Sequence, residues 1–184
     1  MSDSAREAIR IQTEIDREPV PSISAQIGGR LRITVGGSPL MIYRGGQRDS
    51  HDGWRPIHGE LLGVNLLNIY DSLLAIQDGS AGLYETEQAR FETTSQYLVF
   101  ERLPKNYLRV AFRVYPSETD PQPAFAHPAS ECGYPVLLDE LCREAAECGQ
   151  MFIAAAKEFD HRLDQSPIPE IQEAVKQLST TRDA

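Results

Sequence analysis

The sequence predicts an α+β fold: a mostly antiparallel sheet, built from an N-terminal hairpin and a later strand meander, packed by two main helices, with a short N-terminal and a short C-terminal helix. Three observations carry that prediction. Some stretches alternate apolar with polar residues, the period of a half-buried strand, whereas others step by three and four, the period of a helix with one buried face. The strands also fall in blocks instead of alternating with helices, which favours segregated α+β layers over a doubly wound parallel sheet.

Ser4 and Glu7 have the S-x-x-E spacing of a capping box, so a helix carrying Ile11 and Ile15 is expected before Pro19 and Pro21 end it. The chain then divides into a helical arm (1–21), a single α+β domain (22–165) and a C-terminal helix with its tail (166–184). Leu31, Ile33 and Val35 alternate with Arg32 and Thr34, and Leu40 and Ile42 follow Gly36-Gly37, which reads as a hairpin. The doublets Gly28-Gly29 and Gly45-Gly46 read as turns at its outer ends, since no P-loop lysine or dinucleotide glycine spacing accompanies them.

Leu62, Leu66, Ile69, Leu73 and Ile76 recur at helical steps, with Leu61, Val64, Leu67 and Leu74 widening the apolar arc, so this helix is expected between the sheet and another layer, closed by Asp78-Gly79. Strands resume on either side of Pro104-Lys105-Asn106. Leu108, Val110, Phe112 and Val114 alternate with Arg109 and Arg113, and Tyr97 to Phe100 is apolar on both faces, as a central strand covered on both sides would be. Five prolines between 116 and 135 predict a long crossing loop. Leu138, Leu141, Ala145, Cys148, Phe152, Ala155 and Phe159 then mark the clearest helix, broken by Pro167 and Pro169, after which Glu170 to Leu178 suits an exposed helix.

At 184 residues, with 41% hydrophobic and 24% charged residues, the chain can bury a core without disulfides or a structural metal. It contains no stretch of about 20 apolar residues, and Met1 to Arg10 is polar, so no membrane association and a cytoplasmic location are expected. Cys132, Cys142 and Cys148 are odd in number and form no C-x-x-C pair, as reduced thiols would be. The net charge of −9 opposes nucleic-acid binding. That charge is uneven: residues 22–58 carry five arginines against two aspartates, whereas residues 117–184 carry thirteen acids against five basic groups.

Four groups of residues merit attention as sites. The loop His51-Asp52-Gly53-Trp54-Arg55-Pro56-Ile57-His58 gathers two imidazoles and a carboxylate, which are able to move a proton, but no metal-ligand spacing accompanies them. It reads otherwise as a plain loop with Trp54 plugging the core edge, or as a binding loop, since Trp54 and Arg55 are of the types that anchor interfaces. Cys132 with His127 offers a thiol near a helix N-terminus, without a nucleophile motif around it. Arg30, Arg32, Arg109 and Arg113 point outward from the strands, where they suit either an anion-binding face or, more simply, pairing with acids of neighbouring helices. Asp139, Glu140, Glu144 and Glu147 form an acidic face on the long helix, either merely solvated or able to steer a basic partner.

The reading that follows is of a non-enzymatic protein-protein interaction domain meeting a basic protein through the acidic helix and the Trp54 loop, without a cofactor or catalytic residues. An immunity-type inhibitor of a basic toxin domain and an accessory subunit both fit. A small enzyme or ligand-binding domain using His51, Asp52 and His58 is the alternative, and a structural subunit of a larger assembly is a third.

Overall fold

The computed structural model describes residues 9–15, 29–40, 57–59, 61–91, 96–114, 132–159 and 167–180. Among these are two antiparallel sheets and three helices. The first sheet contains β1 (Ile9–Ile15), β2 (Gly29–Val35), β3 (Ser38–Pro39) and β4 (Ile57–Gly59). β2 is its centre, pairing β1 on one side and both β3 and β4 on the other. The second is a meander of β5 (Thr86–Arg90), β6 (Gln96–Leu103), β7 (Tyr107–Val114) and β8 (Tyr134–Leu137), in that order. The helices are α1 (Leu62–Gln77), α2 (Leu138–Phe159) and α3 (Ile168–Thr180).

The expected N-terminal helix is instead strand β1, in register with β2 from Ile9 opposite Val35 to Ile15 opposite Gly29. Ile11 and Ile15 are four apart, a spacing that satisfies a helix but is also even, so it satisfies a strand. The neighbouring Ile9 and Thr13 complete the period-two pattern, and β-branched residues pack well on a pleated surface. Ile9 and Ile11 are buried, whereas Arg10, Gln12 and Glu14 are exposed.

The turn joining β2 to β3 is the expected one: Gly36 (φ 58°) and Gly37 (φ 79°) both take positive φ, as a two-residue type I′ hairpin requires. Its second strand is only two residues long in the described part. Gly29 lies within β2 and forms no turn; a Cβ there would meet Leu62 of α1 and the Glu14 carbonyl. Gly28 and Gly45-Gly46 lie outside the described residues.

α1 behaves as its spacing predicts. Leu62, Leu66, Ile69, Leu73 and Ile76 are all buried, and the helix packs on β2, on β5 and β6, and on α2 and α3. Gly79 (φ 83°) closes it, and the Asp78 carboxylate accepts from the Ser80 hydroxyl and, at 2.8 Å, from the Ser80 N–H, which together hold its pKa below the usual range. In the meander, Leu108, Val110 and Phe112 of β7 and Leu98 and Phe100 of β6 are buried; Tyr97 and Val99, on the second face of β6, are only half-buried. β6 is thus central in its sheet but fully covered on one face. The chain turns between β6 and β7 through Lys105 and Asn106, both left-handed (φ 62°).

Two expectations fail near α2. Pro135 does not belong to a loop: it sits in β8, at the edge of the meander, where a residue without an N–H is tolerated. The apolar stripe of α2 also departs from a strict three-four repeat. Ala155 is exposed, while Ile153 and Ala156 are buried. A 3.6-residue helix drifts by about 20° per heptad against a 3.5-residue pattern, or about 60° over three heptads, enough to carry the buried line off the strict three-four positions. The side chain of Phe159 is outside the described set.

α3 is not the exposed helix expected. Ile168, Ile171, Ala174, Val175 and Leu178 are buried against α1 and α2. Pro169 falls in its first turn, where the missing N–H removes no helical hydrogen bond. Gly149 makes the helix packing close, because a Cβ there would meet Val175 and, at 2.7 Å, the Tyr70 hydroxyl. Buried side chains of both sheets and all three helices form one contiguous cluster.

Candidate functional site

Of the histidine loop, His51, Asp52, Trp54 and Arg55 lie outside the described residues. The backbone of His58 lies in β4, opposite Arg30. His127 is likewise outside, whereas Cys132 is exposed just before β8. Among the described residues no group of three or more His, Cys, Asp or Glu side chains converges to hold a metal ion, and no helix is long and apolar enough to cross a membrane.

The outward arginines behave individually. Arg109 pairs with Glu101 at 2.7 Å, the residue directly opposite it on β6, so its acid comes from a strand and not from a helix. Arg113 donates to the Phe112 carbonyl at 3.3 Å, and Arg32 is exposed beside Gln12 in the register.

The acidic face of α2 is divided by the fold. Asp139 and Glu147 are exposed and Glu140 is half-buried. Asp139 and Glu140 lie in the first turn, where a carboxylate complements the helix dipole. Glu144 is different: its side chain is 8% exposed and pairs at 2.5 Å with the guanidinium of Arg10, which is 62% exposed. Position 144 lies three residues after Leu141 and four before Cys148, on the arc of α2 that packs on β1. Glu144 is thus paired within the chain, at the α2–β1 seam. On the same seam the Cys148 thiol approaches the Thr13 hydroxyl at 3.9 Å.

Asp139 and Glu147 border a cleft of about 390 Å³ where α1, α2, α3 and the β6–β7 turn meet. Ile76, Leu138, Cys142, Ala146 and Leu178, all buried, supply its apolar floor. The rim carries Arg102, Asn106, Asp139, Arg143, Glu147 and Gln150. Arg102 donates to the Ala81 carbonyl at 2.7 Å, and the Asn106 carbonyl accepts the Leu138 N–H at 2.9 Å, tying the turn to the start of α2. Arg143 Nε lies 3.9 Å from Glu147, an ion pair too long to be a hydrogen bond. Sequence reasoning passed over Arg102, Asn106, Arg143 and Gln150, because they come from three segments that only the fold brings together.

Neither buried thiol is activated, Cys142 in the cleft or Cys148 at the α2–β1 seam. Burial, and then the Asp139 charge, push Cys142 up to about 12; burial raises Cys148 to about 11, partly offset by Thr13. A thiol in that range carries almost no thiolate at neutral pH. Tyr70, whose hydroxyl donates to the Ala145 carbonyl at 3.1 Å, is raised well above the usual phenol value by burial. Cys142 is fully buried. No family model, no curated protein and no solved structure matches this chain.

Proposed function

We propose that this chain is a non-enzymatic protein-binding domain that meets a basic partner through the exposed acids of α2, as an immunity-type inhibitor of a basic toxin domain or an accessory subunit would. The observation that supports this reading is the placement of Asp139 and Glu147. Both are exposed at the mouth of one cleft, in the third of the chain that holds most of the negative charge. The net negative charge of residues 117–184 accelerates encounter with an oppositely charged surface, and the apolar cleft floor offers contact area that charge alone lacks. Trp54 and Arg55 are proposed as a second contact on the strength of residue type.

The test is a double reversal, Asp139→Lys with Glu147→Lys, which spares the buried Glu144. A partner captured from the native extract is identified and its binding rates are measured against salt. A basic partner is expected, whose on-rate falls by about tenfold or more on reversal and also falls as salt rises. Trp54→Ala should instead raise the off-rate. An acidic partner, or unchanged rates in the double variant, would overturn the proposal.

A further inference from the structure

We propose that the cleft between α1, α2, α3 and the β6–β7 turn is also a binding site for a small zwitterion, an α-amino acid with an apolar side chain. Cys142 and Ala146 lie one helical turn apart on α2, and their short side chains leave the floor hollow where longer ones would close it. The resulting volume of about 390 Å³ is in the range of sites that enclose small molecules. Its floor is apolar, which suits an aliphatic or aromatic side chain.

The rim carries both signs of charge. Asp139 makes no hydrogen bond or ion pair with any described residue, and can accept an ammonium group. Arg102 commits one guanidinium nitrogen to Ala81, and Arg143 is held only loosely by Glu147, so donors for a carboxylate remain. A ligand of a single sign leaves one set unmatched, whereas one with an ammonium and a carboxylate satisfies both. Gln150 and Asn106 add neutral partners on the same rim.

The experiment titrates the full chain with L-leucine and L-phenylalanine, read by protein NMR. Saturable binding with a millimolar Kd is expected, since so few atoms carry little binding energy. N-acetyl-L-leucine lacks the ammonium and L-leucinamide the carboxylate; each should bind at least about tenfold more weakly, the scale of one charged contact. Ala146→Leu, which fills the floor, should abolish binding. No saturation by about 10 mM, or equal binding of the blocked ligands, overturns the proposal. Should Ala146→Leu fail to fold, Asp139→Asn and Arg143→Gln ask the same question on exposed side chains, and unchanged affinity in both overturns it. No protein partner is present, so a negative result leaves the protein-binding proposal standing.

Discussion

Glu144 is an acid whose neighbours, not its type, decide its role. Removing Arg10 leaves a nearly buried carboxylate without its cation, yet Arg10 itself is largely exposed, so Arg10→Ala should cost about 1–2 kcal/mol, less than a fully buried pair would. Glu144→Lys is harsher, because it places a buried ammonium against a guanidinium; a loss of about 3 kcal/mol or more in urea unfolding is expected. A mild effect would mean that the α2–β1 seam is open to water. The thiols give a second residue-level expectation. At neutral pH a disulfide reagent should modify Cys132 quickly in the folded protein, and Cys142 and Cys148 only after unfolding, when three thiols titrate. The buried pair also has a pH consequence. Their folded pKa values lie above the ordinary value of 9.0, so the neutral thiols are favoured by folding. The associated stability is full below about pH 9 and is lost as pH rises toward 11 and 12. Denaturant melts across that range should show it, and Cys148→Ala should weaken the dependence.

At the scale of elements, α2 is held from several sides. Phe152 is 0% exposed on its buried line, and Phe152→Ala should cost about 3–5 kcal/mol. A loss under about 1 kcal/mol would contradict the packing described. Gly149→Ala tests the opposite failure, overpacking, because its new methyl group meets Val175 of α3 and Tyr70 of α1; a cost of about 1–3 kcal/mol is expected. Lys105 tests backbone strain. It holds a left-handed conformation in the β6–β7 turn, so Lys105→Gly should cost little or stabilise by up to about 1 kcal/mol in a thermal melt.

For the whole molecule, the surprise is how much depends on α3. Ile168, Ile171, Val175 and Leu178 are buried, and at about 1.5–3 kcal/mol each their contribution rivals the total stability of an ordinary domain. Deleting residues 167–184 should abolish cooperative unfolding, followed by circular dichroism. A truncated chain that still melts sharply would show α3 to be an accessory. The same helix supplies Leu178 to the cleft floor, so stability and any ligand site share one element.

Periodicity and turn chemistry are local, and where they act alone the sequence was sufficient: the five buried positions of α1, the Gly36-Gly37 hairpin and the β6–β7 pair all follow from residues adjacent in the chain. Ile11 and Ile15 show where locality stops, since a spacing of four suits helix and strand alike and only pairing with β2 chooses. Glu144 shows the same for burial, because a charged residue reads as solvated until a partner 134 residues away, Arg10, supplies its counter-charge. Pro135 is allowed in a strand only because that strand ends a sheet. The cleft lies furthest from the sequence. Arg102, Asp139 and Leu178 become neighbours through the packing of three helices on a turn, and no spacing along the chain encodes that meeting; the physical reason is that a cavity is a property of surfaces that do not quite close, which only the tertiary arrangement decides.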